Sequence, residues 1–122
     1  MDNRQTVTHF LTRAFNEKQP VEAAQLLGST YVQHNPQAPD GAAAFVAFIE
    51  GFTASFPEVT LDIKRTVADG DLVAVHSHLT LRPGDRGSAV MDIFRLEDGR
   101  IVEHWDVLQE VPEHAANDNT MF

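Results

Sequence analysis

The sequence predicts an α+β fold in which three N-terminal helices pack on a curved, mainly antiparallel sheet. Up to Phe56 the apolar residues recur with helical spacing, and after Pro57 they alternate with polar residues as they do in strands. Two Asp-Gly pairs separate the later apolar runs, which is a strong signal for hairpin turns. Helices followed by a run of hairpin-linked strands favour the α+β class over a doubly wound sheet.

The helices are predicted from apolar stripes and from residues that start or stop a helix. Residues 3–16 carry apolar residues at i, i+3, i+4, i+7 and i+8. Pro20 suits the first turn of a short second helix, and Gly28 suits its C′ stop. Asp40 is the predicted N-cap of a third helix, which Pro57 ends. The stripe of this helix consists of Phe45, Phe48, Ile49, Phe52 and Phe56.

Strands are predicted from alternation and from the turns between them. A short extended piece, 31–34, precedes the third helix, and four antiparallel strands follow it. These four strands are predicted at 59–64, 72–81, 88–96 and 101–111, with turns at Asp69-Gly70 and Asp98-Gly99 and a loop at 82–87. No repeat or linker is evident, so we predict one domain over 1–122 with an irregular tail at 112–122.

Composition narrows the classes of function. The chain has 122 residues, a formal net charge of −9, nine basic residues and no cysteine. Disulfides and thiolate metal sites are therefore excluded, and nucleic acid would be repelled by most of the surface. The N-terminal residues lack an apolar signal core, and no apolar run approaches the length that spans a bilayer. We expect a cytoplasmic protein that binds neither nucleic acid nor a membrane.

Alternation along three strands predicts a pocket that contains ionisable groups. Residues two apart share a face of a strand, and three such faces mix apolar with ionisable side chains. The three sets are Leu72, Ala74, His76 and His78; Val90, Asp92, Phe94 and Leu96; and Val102, His104, Asp106 and Leu108. A dry core does not hold so many polar groups without partners, so we expect a partly wet ligand pocket. Tyr31, Phe48 and Phe52 are expected to line it too, and a solvent-exposed face is the alternative interpretation.

Proton transfer is the chemistry that these groups permit. A histidine titrates near neutrality, and an aspartic acid kept neutral by an apolar pocket can donate a hydrogen bond to a developing enolate. His34 as base with Asp92 as acid makes one candidate pair, and His104 with Asp106 makes a second. We expect a small keto or aromatic ligand and neither a cofactor nor a metal.

The opposite faces of the same strands are also largely apolar. Examples are Val73 and Val75 on one strand and Trp105 and Val107 on another. The helices can cover only one face of the sheet, so we predict a homodimer through the outer face.

Three segments resemble the SnoaL-like polyketide cyclases, a family of the nuclear-transport-factor-like cone superfamily. They are 31–36 (YVQHNP), 69–76 (DGDLVAVH) and 91–106 (MDIFRLEDGRIVEHWD), and the closing 117–122 (NDNTMF) is similar to the tail of a bacterial SnoaL-like branch. The resemblance implies a cystatin-like cone barrel and a cofactor-free intramolecular aldol ring closure with an aspartate as acid and base. By motif position that aspartate is Asp106. Similarity to the ketosteroid isomerases of the superfamily implies instead that His34 occupies the base position and Asp92 the position of the hydrogen-bonding acid.

Three other interpretations remain open from the sequence. The spacing Gly70-x5-His76-x-His78 resembles the start of a cupin motif, and with Asp92 or His104 it could hold a transition metal. Cone folds also serve as non-catalytic, dimeric ligand-binding modules. Epoxide hydrolysis would need an Asp–Arg–Asp arrangement, for which Arg95 has the wrong parity relative to Asp92.

Overall fold

The computed structural model describes residues 1–122 and shows three helices over one face of a five-stranded sheet, which confirms the predicted α+β class. The helices are α1 (Asn3–Leu11), which continues as a π-helical segment Thr12–Asn16, α2 (Pro20–Ala24) and α3 (Ala42–Ser55). The strands are β1 (Leu27–Gln33), β2 (Thr60–Asp69), β3 (Leu72–Thr80), β4 (Ser88–Glu97) and β5 (Arg100–Glu110). None of the helices combines the length and the apolar character that crossing a bilayer requires.

The sheet order is β1-β5-β4-β3-β2, with β1 parallel to β5 and the other pairs antiparallel. Both predicted hairpins form, but the first turn consists of Gly70 and Asp71, because Asp69 still pairs with Leu72 as the last residue of β2. At the β4–β5 turn, Asp98 and Gly99 have φ values of 50° and 78°, the left-handed conformation that a two-residue turn of this type needs. The parallel strand β1 brings the chain that precedes α3 alongside β5, and this neighbourhood builds the site.

Two predicted helix signals were wrong. Gly28 does not stop a helix but lies within β1, where an added Cβ would come within 2.7 Å of Val102 Cγ1, so close strand packing excludes a side chain. Asp40 does not cap α3, which begins after Gly41. The Asp40 carboxylate instead accepts a hydrogen bond of 2.7 Å from the Gln33 amide and fixes the loop between β1 and α3.

The hydrophobic core lies between the helices and the inner face of the sheet. Phe10 of α1 stacks on Phe45 of α3 at 4.8 Å between ring centroids, and its edge meets Phe94 of β4 at 5.8 Å. Each fully buried ring of this kind contributes roughly 1.5–3 kcal/mol. This aromatic contact fixes α1 and α3 against β4, the strand that carries Asp92.

β3 presents the opposite face to the helices from the one we predicted. Val75 pairs with Asp92 across the β3–β4 register, and directly opposed residues share a face. The residues of β3 that face the helices, all buried completely, are Val73, Val75 and Ser77. The set we had placed inside lies on the outer face: Leu72, Ala74, His76 and His78. The sequence of the loop between β3 and β4 does not show how these two strands pair, so their register could not be predicted from it.

The C-terminal segment returns across the outer face of the sheet. Phe122 stacks on the imidazole of His78 at 4.1 Å between centroids and lies 5.8 Å from that of His76. The ammonium group of Lys64 lies 5.7 Å from the centroid of the Phe122 ring. Residues 112–120 are exposed, so this segment contacts the sheet through its last two residues.

Candidate active site

A cavity of about 250 Å³ lies between α3 and the inner face of the sheet. Fifteen of its 22 lining residues are hydrophobic, so an apolar molecule would be desolvated well inside it. Among the residues that we expected to contact a ligand, those that line this cavity are Tyr31, Phe48, Phe52, Phe94 and Leu108. Their contact with a ligand stays a prediction.

Three ionisable side chains converge on the wall of the cavity. Asp92 of β4 lies directly opposite Asp106 of β5, and His104 lies two residues before Asp106 on the same face. His104 Nε2 is 2.7 Å from Asp92 Oδ1 and 4.0 Å from Asp106 Oδ2. The side chain of His104 is only 9% exposed, that of Asp92 8% and that of Asp106 12%, so water screens their interactions poorly.

Gln33 fixes the tautomer of His104. The Asn35 backbone amide donates to Gln33 Oε1 at 3.2 Å, and since an amide N–H can only donate, that atom must be the carbonyl oxygen. The same oxygen lies 2.6 Å from His104 Nδ1. Nδ1 therefore carries a proton and donates it to Gln33, which leaves Nε2 as the atom that faces Asp92.

One proton must consequently lie between Asp92 and His104. In the neutral imidazole Nε2 carries a lone pair and can only accept a hydrogen bond. A 2.7 Å contact with Asp92 therefore requires either a protonated carboxyl or an imidazolium. Burial raises the pKa of the Asp92 carboxyl, the His104 hydrogen bond opposes this rise, and the charge of Asp106 adds to it. The raised pKa of Asp92 is consistent with a proton held between the two groups.

Asn35 fixes the orientation of the Asp106 carboxyl group. The Gln37 amide donates to Asn35 Oδ1 at 2.9 Å, which fixes the orientation of the Asn35 side chain. Asn35 Nδ2 then donates to both oxygens of Asp106, at 2.9 and 3.2 Å. Both oxygens of Asp106 therefore have a donor, and the side chain is held in one orientation. The site thus places a hydrogen-bonded pair, Asp92 and His104, beside a third ionisable group, Asp106.

Aromatic rings immobilise the imidazole of His104. Phe94 lies 4.7 Å from it between centroids, and Tyr31 stacks on it at 6.5 Å. Burial raises the pKa of the Tyr31 phenol above its ordinary value, so the hydroxyl stays neutral and can donate to a ligand. Gln33 Nε2 donates weakly to this hydroxyl at 3.4 Å.

The same three side chains are also the group best placed to hold a cation. One donor atom from each of Asp92, His104 and Asp106 lies within 4.8 Å of the other two. Two donors of one tetrahedral zinc would be separated by about 3.3 Å, given bonds of roughly 2.0–2.1 Å. The 2.7 Å between Nε2 and Oδ1 is instead the separation of a hydrogen bond. A bound ion would therefore replace the proton between these two atoms and move them apart.

The placement of His34 in the pocket was wrong. Its imidazole lies on the outer face, where Nε2 is 2.7 Å from Glu103 and the ring stacks on Trp105 at 4.8 Å and 2°. Alternation explains this, because Tyr31 and Gln33 point inward along β1 and their neighbours Val32 and His34 point outward. His34 cannot act on a ligand in the cavity.

His76 and His78 are separated from the site by the sheet itself. His76 Nδ1 contacts the Arg65 guanidinium, and His78 Nε2 donates to the Arg86 carbonyl at 2.8 Å. The cupin-like metal site, which would join either histidine to Asp92 or His104, is therefore wrong for this fold. Leu72 and Ala74 are absent from the cavity lining for the same reason.

Gln33 and Asn35 are the polar site residues that we did not predict from the sequence. The signal was present, because alternation from the inward-facing Tyr31 selects positions 33 and 35 rather than 34. Their partners, His104 and Asp106, lie 71 residues further along the chain. Only the parallel pairing of β1 with β5 brings these groups together.

Comparison with known proteins supports this fold and its family. A family model described as the SnoaL-like domain matches residues 7–104. A protein provisionally named a ketosteroid isomerase from Kribbella flavida is 24% identical with a TM-score of 0.75, covering 94% of this chain and 83% of its own. A protein provisionally named a polyketide cyclase from Acidithiobacillus ferrooxidans is 21% identical with a TM-score of 0.74, covering 88% of each chain.

A third solved structure is IdmH from Streptomyces antibioticus, provisionally named a polyketide cyclase. It is 21% identical with a TM-score of 0.71, covering 88% of this chain and 92% of its own. Identities of this size establish the shared fold and leave the chemistry open. No curated protein matches the sequence.

Proposed function

This chain belongs to the SnoaL-like domain family, and we propose that it is a cofactor-free enzyme that performs acid–base chemistry on a small keto or aromatic molecule. The reaction type is an intramolecular aldol cyclisation or a related isomerisation. The observation that carries the proposal is the buried cluster of Asp92, His104 and Asp106. In it, Asp92 and His104 share a hydrogen bond, and Asp106 lies beside them without bonding to either.

Each step moves one proton. The Asp106 carboxylate removes a proton from the carbon next to a carbonyl group of the bound molecule. The proton shared by Asp92 and His104 is donated to the carbonyl oxygen on which negative charge develops. In a cyclisation the carbon of the resulting enol forms a bond to a second carbonyl carbon, the enol O–H proton passes to the new alkoxide, and the first carbonyl group is restored. Return of the α-proton from Asp106 to the pair restores the starting state.

The apolar cavity supports this chemistry in two ways. Side chains such as Phe48 and Phe52 exclude water, so the charges on Asp106 and the pair act in a medium of low polarity. Gln33 and Asn35 hold the imidazole and the base before a ligand arrives, so little reorganisation accompanies the reaction. No step needs a metal or an organic cofactor.

Exchange of α-protons in D2O tests the proposal without knowledge of the natural substrate. We expect the protein to accelerate deuterium incorporation next to the carbonyl of small aromatic ketones, followed by NMR. Asp106→Asn should slow the exchange by about 100-fold or more, the contribution of one general base. His34→Ala is the matched control, because it removes an imidazole that lies on the outer face, and it should leave the rate unchanged.

A non-catalytic ligand-binding module is the alternative outcome of this experiment. Such a protein would bind the ketones without exchange above the rate in buffer, and Asp106→Asn would alter only affinity. Native mass spectrometry of protein taken directly from cells then identifies the bound molecule in either case. Loss of exchange in His34→Ala would contradict the assignment of the inner site.

We further propose that two copies associate through the outer face of the sheet and that the protein works in the cytoplasm. Met91 lies opposite Val107 and Ile93 opposite Trp105 on that face, and Val107 is 70% exposed. A contiguous apolar patch of this kind favours a second copy as its cover. Sedimentation should give a dimer for the protein and a monomer for Val107→Asp.

A further inference from the structure

A second cleft, of about 560 Å³, opens beside the cavity at the loop between β3 and β4. Phe52 and Leu79 line both spaces, so the cleft adjoins the cavity. Its own wall is polar and includes Arg82, Asp85 and Arg86 from the loop, with Glu110 at the end of β5. An apolar cavity with a polar neighbouring cleft fits a ligand that has both kinds of surface.

Two guanidinium groups in this cleft form no ion pair. Neither Arg82 nor Arg86 makes an ion pair, and Arg86 donates only through Nε to the Val111 carbonyl at 3.3 Å. Elsewhere in this acidic chain, Arg13 and Arg95 each bind two glutamates. The donor groups of the cleft are therefore available to an external acceptor.

The two acidic residues of the cleft form no ion pair with these arginines, although the pKa of Asp85 is lowered by backbone hydrogen bonds and also by the charge of Arg82. The Asp85 carboxylate points toward the backbone of its own loop, where it accepts hydrogen bonds from the Leu81 amide at 2.9 Å and the Gly87 amide at 3.1 Å. Glu110 lies more than 4 Å from both guanidinium groups, since no ion pair forms. The negative charge of Glu110 should weaken the binding of an anion. Removing this charge should therefore strengthen binding, whereas removing an arginine should weaken it.

The loop is held in one conformation. Besides the two bonds to Asp85, His78 donates to the Arg86 carbonyl at 2.8 Å. Gly87 has a φ of 70°, and a Cβ there would lie 2.1 Å from the Leu79 carbonyl oxygen, so only glycine fits. A fixed loop presents its arginines with little loss of freedom on binding.

We propose that this cleft binds the anionic group of the substrate, a carboxylate, sulfonate or phosphate, while the apolar ring body of the same molecule occupies the cavity. The guanidinium forks of Arg82 and Arg86 would donate to that group. The proposal rests on the proposed function and sharpens it, because it makes the substrate an amphipathic anion rather than a neutral ketone.

Two fluorescent probes that differ by one charge test this inference. 8-Anilinonaphthalene-1-sulfonate carries a sulfonate, and N-phenyl-1-naphthylamine has the same ring body without it. We expect the sulfonate to bind at least about 5-fold more tightly at low salt, with the advantage shrinking as salt rises. Each probe should displace the other, because both place their rings in the cavity.

Arginine variants locate the anion site. Arg82→Gln and Arg86→Gln should each weaken the sulfonate about 3- to 10-fold and leave the neutral probe unchanged, which also shows that the variants fold. Arg4→Gln, which removes an exposed arginine from α1, is the matched control and should change neither affinity. Glu110→Gln should tighten the sulfonate alone.

The outcomes separate the two proposals. The anion site is overturned if both probes bind with equal affinity, or if replacing Arg82 and Arg86 leaves the affinity for the sulfonate unchanged. Either result leaves the acid–base proposal standing. Failure of both probes to bind removes the ligand cavity, and the proposed function falls together with this inference.

Discussion

Two histidine–carboxylate pairs lie on opposite sides of β5 and have the same separation. His104 and Asp92 on the inner face are 2.7 Å apart, as are His34 and Glu103 on the outer face. The inner side chains are 9 and 8% exposed, and the outer ones 42 and 19%. Burial raises the pKa of Asp92, whereas Arg95 and then His34 lower the pKa of Glu103. The surroundings, rather than the hydrogen bond, decide which carboxyl can act as an acid.

The largest difference between the two faces should appear when the imidazole is removed. His104→Ala leaves the Asp92 carboxyl and the Gln33 oxygen buried without a partner and opens a cavity, which should cost about 3–5 kcal/mol of unfolding free energy. His34→Ala removes an exposed group and should cause a change too small to resolve. Urea unfolding measures both, and equal losses would contradict the comparison.

Removing the acceptor of His104 should have the next largest effect. Gln33→Leu leaves the Nδ1 proton without a buried partner, at a cost of about 2 kcal/mol. It should also release the tautomer, so that nitrogen NMR shows the proton divided between Nδ1 and Nε2. A His104 spectrum that keeps a single Nδ1-protonated form in Gln33→Leu would show that Gln33 does not set the tautomer.

The pH dependence of stability should have opposite signs on the two faces. Because the folded pKa of Asp92 is raised above its ordinary 3.8, its contribution is fully present below that value and is lost as pH rises through the folded pKa. Asp92→Asn should fold, since its amide can donate to Nε2. It should gain stability relative to the unmodified protein by up to about 1.4 kcal/mol per pH unit in that window.

Glu103→Gln is the matched control for this titration. The folded pKa of Glu103 is lowered below its ordinary 4.5, so its contribution is present above that value and is lost as pH falls through the folded pKa. The unmodified protein should therefore lose its advantage over Glu103→Gln on acidification. Slopes of the same sign for both variants would show that burial does not distinguish the two carboxyls.

The smallest effect concerns a polar group of the inner face that has no partner. Ser77 is completely buried on β3, and its Oγ makes no hydrogen bond. Ser77→Ala should raise the unfolding free energy by about 1 kcal/mol, because it removes an unsatisfied hydroxyl at nearly constant volume. Thermal unfolding measures this change. A destabilised variant would indicate that the hydroxyl is satisfied by a bound water.

Local patterns in the sequence determined the class of the fold and part of the site. The aromatic stripe of α3, the alternation after Pro57 and the turn at Asp98-Gly99 depend on neighbouring residues alone, and the structure has them where they were predicted. Alternation within one strand also predicted that Asp92 shares a face with Phe94, and that His104 shares a face with Asp106. These relations follow from backbone geometry, which is the same for any strand.

Only the tertiary structure decided which face of each strand turns inward and which strands are neighbours. The register of β3 against β4 buries Val75 and Ser77 and exposes His76 and His78, although both faces of β3 carry apolar residues. The parallel pairing of β1 with β5 places Gln33 against His104 and sends His34 outward. Both choices depend on packing between segments that are distant in the chain, which no local pattern encodes.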